Sequence, residues 1–168
     1  MGGSYKWYRL LYTLFSGLLF FGIFLYSAAI EPKFLLRPTE LTAYLGYMFA
    51  AFGTIILMKS FKHLSLKKFA GLRPHDDLVS VDPMVVEGVY KWVRHPIYSG
   101  LLLVFMGYFF FQPQLTSLVH FLMLLAYLPF GIRWEEKKLM EVYGEKYKAY
   151  KEDVPALFPR VFRSRVSD

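Results

Sequence analysis

The sequence predicts an all-α integral membrane protein of about four transmembrane helices. The third and fourth form a short hairpin, and a cytoplasmic helical tail follows at the C-terminus. Three observations predict this class. Apolar residues make up 55% of the 168, above the ~45–50% of soluble domains, and the mean hydropathy is +0.33. They gather into four long runs at 10–30, 41–58, 97–111 and 115–132, as bilayer-spanning helices require. Lys and Arg gather between the runs: two before the first, two after it, seven at 59–94, none at 112–114 and nine from Arg133 onward. Positive charge stays cytoplasmic. Four spans put both termini and the 59–94 segment on that side, and the charge-poor links on the other.

The same totals exclude several function classes. No Cys occurs, so disulfides, thiolate metal sites and cysteine nucleophiles are ruled out. The net charge of +7 accompanies no nucleic-acid module and reads as contact with a lipid bilayer. One membrane domain is expected over 1–168. Its parts are two N-terminal spans (1–60), a cytoplasmic loop (61–95), a helical hairpin (96–132) and a cytoplasmic tail (133–168).

Taken in order, Leu10 to Ile30 is long enough to cross a core of ~30 Å. It is too long for a removable signal and has no small-residue cleavage site. The link that follows holds Pro32 and Pro38, and Thr39 stands where it would cap the next helix. Lys59, Lys62, Lys67 and Lys68 follow the second run. A short helix to about Phe69 and then irregular chain to Pro83 are expected. So long a connection favours a functional role. Pro96 suits the first position of a helix. From there the third run has only about fifteen residues and rises ~22 Å, below the ~17–25 residues a span needs. Either the bilayer thins locally, or Arg94, His95 and Tyr98 sink into its hydrophobic layer.

Gln112-Pro113-Gln114 is too short for anything but an antiparallel return. The fourth run therefore brings Glu135 and Glu136 back to the level of Arg94 and His95. Ionisable groups at that depth are costly unless paired or ligand-bound, so this cluster is the candidate functional site. Beyond it, Leu139, Met140, Val142 and Tyr143 make a modest helical stripe that Gly144 ends or interrupts. Tyr147 and Tyr150 share a face of the next helix. Val154-Pro155 and Phe158-Pro159 close the chain down.

Glu87-Gly88-Val89-Tyr90, Arg94-His95-Pro96-Ile97-Tyr98, two apolar spans, Glu135-Glu136-Lys137-Lys138-Leu139, Tyr143-Gly144, Tyr147, Tyr150 and Phe158-Pro159 follow one another in a specific order and spacing. In this the chain resembles the isoprenylcysteine carboxyl methyltransferase family, within a wider group of integral-membrane methyltransferases that includes phospholipid methyltransferases. The resemblance covers Glu87 to about Val161. It implies an S-adenosyl-L-methionine-dependent methyltransferase whose donor lies between the cytoplasmic end of the hairpin and the tail, with a lipophilic or small acceptor. By the same resemblance Tyr90, Arg94, His95, Pro96 and Tyr98 belong to the cofactor pocket, with Glu135 and Glu136 closing it; Tyr143, Tyr147 or Leu157-Phe158 are the candidates for the purine's apolar wall. Arg94, His95 and Glu135 are the catalytic candidates. A sulfonium with an ammonium favours carboxylates and aromatic faces, and Arg94 is a candidate for the donor's carboxylate. Glu136 is expected on the donor's ribose or amino group and Glu135 toward the acceptor; the reverse assignment stays open.

Two other classes stay open at this level: an NADPH-dependent membrane reductase of the sterol-reductase type, and a non-enzymatic membrane or lipid-binding subunit. His120, within the fourth run, is expected to pack or hydrogen-bond between helices. His63 and His75 read as loop residues, with His75-Asp76-Asp77 as a weaker cofactor candidate. No metal-ligand spacing is recognisable. Arg160, Arg163 and Arg165 read as a lipid-facing stripe, and Gly100 and Gly107 as sites of close helix approach.

Overall fold

A computed structural model describes residues 3–63 and 84–160. The expected helix toward Phe69, the His75-Asp76-Asp77 cluster, the side chain of His63, and Arg163 and Arg165 lie outside the described residues. The described residues form five α-helices in order: α1 (Gly3–Ala29), α2 (Glu40–His63), α3 (Pro96–Phe111), α4 (Leu115–Tyr143) and α5 (Glu145–Asp153). A 3₁₀ turn, Gly88–Lys91, precedes α3.

The ends of these helices follow local chemistry. Thr39 caps α2, its Oγ1 accepting the Thr42 amide at 3.2 Å. Pro96 is the first residue of α3, where its missing N–H costs nothing. A capping box between Gln114 and Ser117 starts α4. Gly144 ends it at φ 55, a left-handed φ that favours glycine. Two boundaries differ from expectation: α2 continues past Met58 to His63, and α4 runs unbroken past Ile132 to Tyr143. The Glu, Lys, Leu and Met residues beyond Ile132 are good helix formers, so the helix outlasts its apolar run.

The helices run up and down. The 31–39 link sits on the 112–114 turn, where Leu35 N–H donates to Pro113 O at 2.9 Å and Leu115 N–H to Lys33 O at 2.8 Å. Both links therefore lie at one end, opposite the start of α3 and the end of α4. The closest packing is between α2 and α3, through a glycine ladder. A Cβ on Gly46 would lie 2.7 Å from the Phe111 nitrogen, and one on Gly53 2.6 Å from Gly100 O. From the α3 side, a Cβ on Gly107 would lie 2.7 Å from both Gly46 O and the Ala50 nitrogen. Only bare backbone permits such an approach.

Near its C-terminal end α1 touches α3 and α4: Phe24 meets Phe105 edge-on with centroids 6.4 Å apart. Phe24 stacks on His120 with centroids 5.1 Å apart, and Ser27 Oγ lies 3.1 Å from His120 Nε2. His120 is thus packed and hydrogen-bonded between helices, as expected. Among the described residues two helices are long and apolar enough to cross a bilayer, Glu40–Lys62 and Leu115–Tyr143, and 11% of each apolar window is buried inside the protein. A core helix of a soluble domain would be mostly covered; here Phe52, Met58, Leu122, Met123 and Phe130 point outward. Gly17–Ala29 and Pro96–Phe111 are apolar but shorter.

Candidate active site

The start of α3, the far end of α4 and the tail after Gly144 meet at the end opposite the two links. Arg94 and His95 stand just before α3, and Glu136 lies past the apolar part of α4. All three are drawn inside: His95 is 4% exposed and Glu136 7%. The Glu136 carboxylate is shared. Its Oε1 accepts Arg94 Nε at 3.1 Å and Nη2 at 2.7 Å, and faces His95 Nε2 at 3.3 Å. Its Oε2 pairs with the Lys151 ammonium at 2.6 Å. Burial on its own would raise the Glu136 pKa, but Lys151, Arg94 and His95 outweigh it and hold the carboxyl down to about 2.

His95 lies between two carboxylates. Its Nδ1 is 3.4 Å from Glu135 Oε2, while Nε2 faces Glu136. A neutral imidazole donates to one of these; the imidazolium donates to both. Glu135, unlike Glu136, is about half exposed and lies near Tyr98. The two adjacent carboxylates thus have different surroundings: one locked among cations, the other open to the outside of the cluster.

The tail is bound across this cluster by backbone. Arg94 N–H donates to Pro155 O at 2.9 Å and His95 N–H to Ala156 O at 3.0 Å. Ser99 Oγ donates to Leu157 O at 2.6 Å. Arg94 Nη1 donates to Lys151 O at 2.8 Å and also to Val154 O. The tyrosines complete the enclosure. Tyr150 donates to Tyr90 O at 2.6 Å, and Tyr147 is buried with its hydroxyl unpartnered. Burial pushes the Tyr150 hydroxyl up to about 12. Burial and then Glu135 and Tyr150 do the same to Tyr90, to about 12. Tyr147 is raised further, by burial and then by Glu136. All three remain neutral phenols at physiological pH and serve as donors or walls, not as bases.

Of the residues expected at the site, Tyr90, Arg94, His95, Tyr98, Glu135, Glu136 and Tyr147 are gathered here. Pro96 is fully buried and sets the start of α3. Tyr143 is half-buried at the end of α4, about two turns beyond Glu136. Sequence reasoning missed Lys151, Ser99 and the 154–157 backbone. It also read Lys59 and Lys62 only as topology signals, whereas they line a cavity of about 390 Å³ with Gly88, Val89 and Trp92. Among the described residues no three His, Cys, Asp or Glu side chains are grouped to hold a metal ion.

Fold and site together define an all-helical membrane protein with an ion-paired, tail-covered cluster at one end of its helices. Residues 41–146 match the family model described as Phospholipid methyltransferase, and the chain belongs to that family. It is similar to a methanethiol S-methyltransferase of Pseudomonas deceptionensis, 40% identical over 78 residues, which are 45% of this chain and 28% of that protein. It is also similar to a methanethiol S-methyltransferase of Mycobacterium tuberculosis, 30% identical over 73 residues, 42% of this chain and 28% of that protein. A protein-S-isoprenylcysteine O-methyltransferase of Schizosaccharomyces pombe is 30% identical over 104 residues, 61% of this chain and 40% of that protein. The chain thus spans less than a third of the first relative's length and two fifths of the last.

Proposed function

We propose that the protein is a membrane-embedded S-adenosyl-L-methionine-dependent methyltransferase whose donor binds at the Arg94–His95–Glu135–Glu136 cluster. One observation carries the reading. A carboxylate held ionised inside a protein, flanked by a half-exposed second carboxylate and tyrosine faces, suits a cationic ligand. The residues fit the donor in kind: Tyr147 holds a buried hydroxyl without a partner, and Glu136 an exchangeable cation. Glu136, Tyr90, Tyr98, Tyr143 and Tyr147 would hold the donor, with Pro96 fixing the helix start that places Arg94 and His95.

Bound S-adenosylmethionine supplies a methyl group on a sulfonium leaving group. What remains for the chain is to align and desolvate the acceptor and to take its proton. The half-exposed Glu135, paired with His95 and near Tyr98, is the base facing outward. Arg94 fixes Glu136 and the tail.

The acceptor we favour is a small thiol, since the first relative named above acts on methanethiol at sulfur, whereas the relative that acts on isoprenylcysteine methylates oxygen. With a thiol acceptor, Glu135 would take the S–H proton as the acceptor sulfur takes the methyl group from the sulfonium, which leaves as a neutral thioether. In this reading residues 1–168 form one membrane domain with four spans, α1 to α4, and both termini and the site face the cytoplasm. The 61–95 loop and the tail from Arg133 share that side, and the lipophilic acceptor reaches the site from the bilayer. Calorimetry on detergent-purified protein tests the donor, with S-adenosylmethionine binding expected and NADPH binding not. Radiolabelled donor incubated with methanethiol, a prenylcysteine and phospholipid vesicles then identifies the acceptor. Binding of NADPH without S-adenosylmethionine would overturn the reading in favour of a reductase.

A further inference from the structure

Two cations share Glu136, and they are held differently. Arg94 is 9% exposed at its side chain. It commits Nε and Nη2 to Glu136 and Nη1 to the carbonyls of Lys151 and Val154. Four of its five N–H donors are thereby used, which leaves a single Nη2 N–H and no two-pronged fork for an incoming carboxylate unless the tail or Glu136 is released. Lys151 is about half exposed and meets Oε2 through an ammonium on a flexible stem. Its root does not share that freedom. It lies in the last turn of α5, and its carbonyl accepts Arg94 Nη1 at 2.8 Å. The ammonium can therefore leave Oε2 and remain within one side-chain length of it.

An α-amino-acid end carries an ammonium and a carboxylate two bonds apart. Its recognition needs one anion and one cation side by side, and Glu136 with Lys151 is such a pair already in contact. We propose that this pair binds the zwitterionic end of the donor. Glu136 Oε2 exchanges the Lys151 ammonium for the donor's α-ammonium, and the released Lys151 binds the α-carboxylate. Two internal ion-pair partners are replaced by two intermolecular ones, so no buried charge is left uncompensated. The role that sequence reasoning gave to Arg94, holding the donor's carboxylate, passes to Lys151. This assignment rests on the donor reading above and adds to it a residue beyond the 41–146 match.

The test compares S-adenosylmethionine with decarboxylated S-adenosylmethionine by calorimetry, on wild type, Lys151→Ala and Lys151→Arg. Wild type is expected to prefer the full donor by roughly tenfold or more, the usual weight of a charge-assisted hydrogen bond. In Lys151→Ala that preference should fall to within about twofold, while the decarboxylated donor binds as well as to wild type or better. Lys151→Arg should recover part of the preference. Binding of the decarboxylated donor reports in the same tube that the variant is folded. A preference unchanged in Lys151→Ala, an equal loss for both ligands, or no preference in wild type overturns the assignment and leaves the donor reading standing. Failure of wild type to bind either ligand overturns the donor reading itself.

Discussion

Without the carboxylate of Glu136, Arg94 and Lys151 would face each other with no anion between them, and His95 Nε2 would lose its partner. Removing one member of a buried pair costs about 3–5 kcal/mol, because the other charge stays buried. Glu136→Ala should therefore lower the thermal midpoint in detergent sharply, while Glu135→Ala, at a half-exposed position, should change it little. Acid should have a related effect. The folded state holds the Glu136 pKa near 2, against an ordinary value of 4.5. Its contribution is thus complete above about pH 4.5 and is lost as pH falls toward 2. Unfolding followed across that window should show wild type losing stability relative to Glu136→Gln, with no such divergence between pH 5 and 7. The residues of this cluster were unequally legible in the sequence. Arg94, His95, Glu135 and Glu136 could be paired from the length of two apolar runs and a three-residue link. Lys151 could not, because its place depends on the turn at Gly144 and on backbone bonds from Arg94 and His95 to Pro155 and Ala156.

At the scale of elements, α3 has two different neighbours. It is joined to α4 by the short link, but its closest packing is on α2 through Gly46, Gly53, Gly100 and Gly107. Sequence reasoning marked Gly100 and Gly107 for close approach, and their partners on α2 went unnoticed. A glycine spaced for contact does not reveal which helix it will meet. A side chain on Gly53 has nowhere to go, because the atoms it would strike are the Gly100 carbonyl and the Val104 backbone nitrogen and side chain. Gly53→Leu should therefore destabilise the protein by at least the ~1–3 kcal/mol of an overpacked core. Gly22→Leu, where a Cβ meets nothing within 4 Å, should leave the unfolding midpoint close to wild type. The tail is held by a different means. Lysine at position 94 cannot bridge Glu136 and two carbonyls at once. Arg94→Lys should speed proteolysis around 154–157 and deuterium uptake at the His95 amide, with α2 and α3 exchanging as before.

At the scale of the whole molecule, the all-helical class and the up-and-down order followed from apolar run lengths, and the described residues agree with both. The number of spans is a further step, because α3 rises only ~24 Å, short of the ~30 Å hydrocarbon core. A helix of that length either crosses a thinned bilayer or stops inside it, and the two cases place its far end differently. The 31–39 link is hydrogen-bonded to the turn at Pro113, so Lys33 and Gln112 must lie on one side whichever case holds. Lys146, in α5, lies with the charged cluster at the opposite end. The chain contains no Cys, so single cysteines at Lys33, Gln112 and Lys146 can be introduced with no background to remove. In sealed vesicles of known orientation, four crossings require Lys33→Cys and Gln112→Cys to react with a membrane-impermeant maleimide from the side opposite Lys146→Cys. Protection of Lys33→Cys and Gln112→Cys from the reagent on both sides would mean that the hairpin enters and leaves by the same face. The basic segments would then owe their shared position to surface lipid, without any crossing of the bilayer between them.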